Sequence, residues 1–201
     1  MRRAGALALA ALLTACAGSK PIAERPVPEL KGDIALLPFD SMATSLRGPE
    51  LLREYVQKKL ARLGYNPIPL EAVDDALRKI GISDGGQLRS VRSEIVGNAL
   101  GVTRYVVGNV EDFSDQNVGF VRRRIVDLTL SLVDAKTGEH LWENSGRVEK
   151  TIGAFSKKRA KQAFLTGVLE NAVEKAFGKP LDRESRRAVA QVMRSFPRRR
   201  H

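Results

Sequence analysis

The sequence predicts an α/β domain built on a mixed sheet, with a helix closing its C-terminal end. Three observations predict it. An apolar strand segment near the start of the body alternates with helical segments, which implies a parallel pairing. Three strand-like segments then follow one another across short turns, which implies an antiparallel meander. A long stretch of helical period comes last. At 201 residues, with about 150 residues per domain as a prior, there is room for one domain and appendages. Hydrophobic residues at 43% and charged residues at 28% supply a core and exclude wholesale disorder.

Each element has its own signal. Residues 33–39 form a short apolar run that stops at Pro38, as a buried strand would. Gly48-Pro49 opens a helix in which Leu51, Leu52, Tyr55, Val56 and Leu60 recur at helical spacing, leaving Arg53, Lys58 and Lys59 for the wet side. Gly64 ends it, residues 65–68 read as a second short strand, and Pro69 breaks that strand. Residues 70–80 place Val73, Ala76, Leu77 and Ile80 on one helical face, with Gly81 as the stop. A loop at Gly85-Gly86 precedes a third helix over 91–100, ended by Gly101.

Residues 105–113 are β-branched and alternating, and 117–119 read as a turn. A long strand over 122–134 puts Val126, Leu128, Leu130 and Leu132 on one face and Asp127, Thr129 and Ser131 on the other, the pattern of a half-covered antiparallel strand. Ala135-Lys136-Thr137-Gly138 is a hairpin turn, and a strand resumes at Leu141-Trp142 towards Thr151. Residues 157–177 form the last core helix. The order is βαβαα, three antiparallel strands and a helix, in one domain over 33–178. Pro180 then breaks the chain. Residues 179–201 read as a basic tail outside the domain, with helical period over 182–196, so removal of 182–201 is expected to leave the domain folded.

The N-terminus assigns the compartment. Arg2 and Arg3 precede an apolar stretch over 4–13, too short to span a bilayer of ~30 Å and therefore a secretory signal. Leu13-Thr14-Ala15-Cys16 resembles the lipobox of bacterial lipoproteins. The resemblance implies cleavage after a signal peptide over 1–15, with acyl chains on Cys16, the lone cysteine. Two or three chains at ~0.8 kcal/mol per buried CH₂ anchor firmly. Ala17 in place of Asp implies, by likeness to enterobacterial sorting, the outer membrane and its periplasmic face. Residues 16–32, with Pro21, Pro26 and Pro28, suit a tether.

Further motifs resemble a group of bacterial envelope lipoproteins, the CsgG/LpoB-like superfamily with its neisserial-type members. They are Ile34-Ala35-Leu36-Leu37-Pro38-Phe39-Asp40, the helix ending Leu63-Gly64-Tyr65, residues 100–108, and the strand–turn–strand of residues 132–142. The resemblance covers about 33–178. It implies a three-layer α/β domain used for protein–protein work at the outer membrane, with no catalysis and no cofactor. The curli secretion lipoprotein of that group adds hairpins that build a membrane barrel. Between Phe113 and Arg124 this chain has Ser-Asp-Gln-Asn and three arginines instead, so a pore is not expected.

No nucleophile-plus-base motif is present. His140 sits on a hairpin, Asp74 and Asp75 diverge by about 100° on a helix, and the glycines of 81–86 lack the Lys-Ser/Thr of a phosphate loop. Trp142 reads as a core anchor. One cysteine and two histidines exclude a multi-thiolate metal site.

The net charge of +11 concentrates in three places: Arg122-Arg123-Arg124, the Lys157-Lys158-Arg159 and Lys161 cluster, and residues 182–201 with seven Arg against one Asp and one Glu. Arg122, Arg123, Arg124, Arg194, Arg198, Arg199 and Arg200 are the candidate contacts for an anionic envelope partner. Export argues against nucleic acid. The function expected is a non-enzymatic accessory that binds another envelope protein or self-assembles. The alternative is a binder of peptidoglycan or lipopolysaccharide through the basic tail.

Overall fold

Two apolar faces of one sheet organise the chain, and each is covered by a pair of helices. The computed structural model describes residues 33–118, 121–153 and 181–198. Strands β1 (Ala35–Leu36) and β2 (Asp40–Ser41) run parallel to β3 (Arg104–Val118), separated by the break at Pro38. β3 pairs antiparallel with β4 (Val121–Asp134), and β4 with β5 (His140–Gly153). The sheet is therefore mixed, as the sequence predicts. A bulge between Val110 and Asp112 resets the alternation of β3.

Helices α1 (Gly48–Arg62), α2 (Leu70–Lys79) and α3 (Ser93–Leu100) lie between β2 and β3 in the chain, and α4 (Asp182–Val192) follows β5. α1 carries Pro49 in its first turn and buries Leu51, Leu52, Tyr55, Val56 and Leu60 against Leu36, Val106 and the Val126/Leu128/Leu130/Leu132 face of β4. α4 covers that same face. α2 and α3 bury Val73, Leu77 and Val96 with Ala35, Leu37, Tyr105, Val133 and Ala135 on the other side. Three layers result. Gly101, at φ +64°, closes α3 in the left-handed conformation that glycine adopts freely.

Several expectations change. The strand expected over 65–68 reduces to a single bridge, Ile34 to Pro67, because Pro67 has no N–H to continue a ladder. The turn expected over 117–119 is largely strand: β3 runs to Val118, pairing Asp115, Gln116 and Asn117 with Arg124, Arg123 and Arg122. Arg53 is not on the wet side. It is buried, donating to the Leu36 carbonyl (3.2 and 2.8 Å) and to Asp74 (3.0 and 2.7 Å), and so ties β1, α1 and α2 together. The helix expected over 157–177 lies outside the described residues, as do residues 1–32.

The largest correction concerns the C-terminus. Leu181, Ala188, Val189, Val192, Met193 and Phe196 belong to the same core cluster as α1 and β4. The domain therefore does not end at 178, and residues 181–198 are not an appendage. Phe196 packs edge-on to both Tyr65 and Trp142, at ring-centroid distances of 5.6 and 4.8 Å. Gly146 of β5 lets α4 sit directly on the strand: a Cβ there would lie 2.5 Å from the Ala188 carbonyl oxygen.

Candidate anion-binding surface

The arginine run expected to meet an anionic partner has partners of its own. Arg122 and Asp115 are diagonal neighbours across β3 and β4 and form an ion pair through Nε at 2.6 Å. Arg123 Nε donates to Glu149 Oε1 at 2.7 Å, in a chain of charges that continues through Arg147 to Asp127 at 2.6 Å. The Arg123–Glu149–Arg147–Asp127 chain lies on the sheet face opposite α4, whereas Arg122 and Asp115 share the α4 side with Arg124.

Arg124 is fully buried, on the α4 side of the sheet. Its Nη1 lies 3.4 Å from Glu184 of α4, and its Nε lies 3.6 Å from Asp115. Glu184 is itself 2% exposed and has Lys150 at 3.9 Å as a second cation. Arg124 is therefore withdrawn from the candidate surface: it is an internal charge, and a partner cannot reach it.

Helix α4 supplies the exposed alternative. Its inner face is fixed to the domain at both ends. At the N-terminal end Asp182 accepts a hydrogen bond from the Tyr55 hydroxyl, and Arg186 donates to Asp182 (2.9 Å) while lying 4.5 Å over the Tyr55 ring. Burial first, and the Asp182 carboxylate second, push the Tyr55 hydroxyl above the usual tyrosine range. At the C-terminal end Asn144 donates to the Val192 carbonyl (2.8 Å), the Trp142 indole to Ser195 Oγ (3.2 Å), and the Tyr65 hydroxyl to the Pro197 carbonyl (2.8 Å).

With the inner face held, the outer face carries Arg183, Arg187, Ala190 and Gln191, all exposed, and exposed Arg194 and Arg198 continue beyond it. Positions 183, 187 and 190 of α4 fall within about 60° of one another on a helical wheel. Among the described residues no salt bridge engages Arg183, Arg187, Arg194 or Arg198. Two of the arginines expected from the sequence, Arg194 and Arg198, thus keep their place on a surface. Arg183 and Arg187 join them; their spacing opposite Val189, Val192 and Phe196 was the available signal. Arg199, Arg200, Cys16 and the 157–161 cluster lie outside the described residues.

The other candidates resolve plainly. Trp142 is 1% exposed, a core anchor. Asp74 serves Arg53, and Asp75 pairs with Arg78. His140 Nδ1 lies 3.1 Å from Glu143 Oε2, the oxygen that also accepts from Ser131 Oγ at 2.7 Å. The three residues of a triad are present, but the carboxylate stands between hydroxyl and imidazole. The Ser131 bond, followed by His140, holds the Glu143 carboxyl below its usual range, so it is a poor base for a serine. Among the described residues no group of three His, Cys, Asp or Glu is placed to hold a metal ion. No helix among them is long and apolar enough to cross a membrane.

Fold and surface together define a three-layer α/β domain that presents one cationic helix face. The chain belongs to the family described as Putative lipoprotein GNA1162-like, whose model matches residues 32–195. It is similar to the crystal structure of lipoprotein GNA1162 from Neisseria meningitidis, at 18% identity and TM-score 0.53, covering 72% of this chain and 99% of that one. It is also similar to the LpoB C-terminal domain from Salmonella enterica, at 18% identity and TM-score 0.43, covering 57% and 80%. The E. coli LpoB solution structure gives 11% identity and TM-score 0.46, covering 74% and 80%. The likeness to GNA1162 shows a shared fold. No curated protein matches the sequence. These matches carry no kinship with the curli secretion lipoprotein.

Proposed function

We propose that the chain is exported, acylated on Cys16 and held at the outer membrane on its periplasmic face, where it works as a non-enzymatic accessory to another envelope protein or to further copies of itself. The observation that carries this reading is the pairing of a lipobox-like Leu13-Thr14-Ala15-Cys16 with a domain of a lipoprotein family. The inverted order of Ser131, Glu143 and His140 supports a non-catalytic role, because it gives the hydroxyl no imidazole base. Cys16→Ala is expected to abolish acylation and release the protein into the soluble fraction, read by fractionation and intact mass. Unchanged membrane retention would sink the anchor. A stoichiometric protein captured from native membranes with the acylated chain supports the accessory role.

A second reading is favoured by the exposed arginines of α4: binding to anionic envelope material, whether phospholipid headgroups, lipopolysaccharide phosphates or peptidoglycan carboxylates. Retention on isolated sacculi or on lipopolysaccharide, lost on charge reversal of the stripe, is its direct measurement.

A further inference from the structure

The place where the chain enters the domain and the arginine end of α4 occupy one edge of the molecule. Asp33 accepts a hydrogen bond from Asn66 at 2.5 Å, and Ile34 bridges to Pro67 with its N–H on the Asn66 carbonyl at 3.3 Å. The preceding residue, Tyr65, donates to the Pro197 carbonyl at 2.8 Å and packs on Phe196. Arg194 and Arg198 flank that contact. α4 itself is 11 residues long, about 16 Å at 1.5 Å per residue, so Arg183 and Arg187 lie about one helix length from that contact.

Sixteen residues lie between Cys16 and Asp33, a reach of at most about 60 Å even when fully extended. An acyl group on Cys16 therefore keeps this edge within that distance of the lipid at all times. Four arginines that no carboxylate pairs with among the described residues then face a high local concentration of headgroups. Polybasic residues near an anionic bilayer add about 1 kcal/mol each, the second signal that reinforces a lipid anchor.

We infer that the outer face of α4 docks on the anionic phospholipid surface of the membrane that holds the anchor. Arg183, Arg187, Arg194 and Arg198 contact headgroup phosphates, and the sheet face bearing exposed Ser145 is turned away. The inference rests on acylation of Cys16, and it names the occupant of the stripe.

The test uses the full protein purified from membranes, with a single cysteine introduced at exposed Ala190, in the middle of the stripe, and labelled with a fluorophore. A second preparation carries the label at exposed Ser145, on the opposite sheet face. Each is reconstituted into vesicles with nitroxide headgroup lipid, either of phosphatidylglycerol with phosphatidylcholine or of phosphatidylcholine alone. Strong quenching at Ala190 in the anionic vesicles is expected, with little at Ser145. It should vanish in roughly 1 M salt, where the Debye length is ~3 Å. The R183E/R187E/R194E variant, whose thermal unfolding should match the parent because all three side chains are exposed, should dock about a hundredfold more weakly.

Equal quenching at the two positions, quenching indifferent to phosphatidylglycerol, or quenching unchanged by charge reversal would each overturn the inference. So would retention of the stripe on isolated sacculi with no preference for anionic lipid. Intact mass of the same preparation scores acylation separately. If Cys16 proves unmodified, the anchor reading fails, and docking is read on the Cys16→Ser chain added to the same vesicles.

Discussion

At the scale of single residues, the ion pair that fixes α4 to the sheet is the feature most exposed to mutation. Arg124 and Glu184 are both withdrawn from water, at 3.4 Å from each other, and neither Glu184 oxygen accepts a hydrogen bond. A buried pair of this kind adds little net stability over an apolar pair, but losing one partner strands the other charge. Arg124→Met is therefore expected to cost about 3–5 kcal/mol in urea unfolding, and Arg124→Met with Glu184→Leu to recover most of it. A double-variant loss equal to the sum of the Arg124→Met and Glu184→Leu losses would show that the pair is not coupled. Glu143 gives a milder, pH-dependent case. Its carboxyl is held low by Ser131 and then His140, so its contribution is present above the usual carboxylate range and disappears as pH falls through the folded value. The stability gap between the parent and Glu143→Gln should therefore close on going from neutral to about pH 3; for a side chain this exposed it should not exceed about 1 kcal/mol.

At the scale of elements, α4 is held by contacts that a sequence shows poorly. The β4 and β5 strands and the three early helices were legible because period 2 and period 3.6 are local properties of the chain. The burial of Arg53 and Arg124 was not, since it depends on Asp74 and Glu184 arriving from distant segments. The helical period of 182–196 was visible, yet seven arginines drew attention to charge rather than to Ala188, Val189 and Val192 on the opposite face. The same mixture explains the candidate site: Arg194 and Arg198 were legible, while Arg122 to Arg124 were absorbed by carboxylates that only strand register reveals. Tyr55 tests how firmly the helix is fastened. Its raised hydroxyl pKa means that this contact stabilises the fold fully below the usual tyrosine range and is lost as pH rises through the folded value. Tyr55→Phe removes the bond to Asp182 while keeping the ring under Arg186. The expected outcome is a loss of about 1–2 kcal/mol near neutrality and a weaker alkaline transition than the parent, followed by circular dichroism.

At the scale of the whole molecule, the closing segment completes the core that its charge made look dispensable. Ala188, Val189, Val192, Met193 and Phe196 cover Trp142, Leu128 and the Gly146 stretch of β5, and burying side chains of this kind contributes about 1.5–3 kcal/mol for each large one. Summed over the segment, this approaches the 5–15 kcal/mol that holds a typical domain together. Removing 182–201 would also leave Arg124 facing an interior without Glu184. The truncated chain is therefore expected to lose cooperative thermal unfolding altogether, while removal of 199–201 alone, which follow the last core contact among the described residues at Pro197, is expected to leave the melt unchanged. Gly146→Val distinguishes lost area from lost fit: it deletes nothing, but forces its side chain into the Ala188 carbonyl and should cost at least about 1–3 kcal/mol. A truncation that melted cooperatively near the parent temperature would return residues 182–201 to the status of a tail. The arginines would then be free to move independently of the domain, and a docking edge fixed beside the incoming chain would no longer follow from the fold.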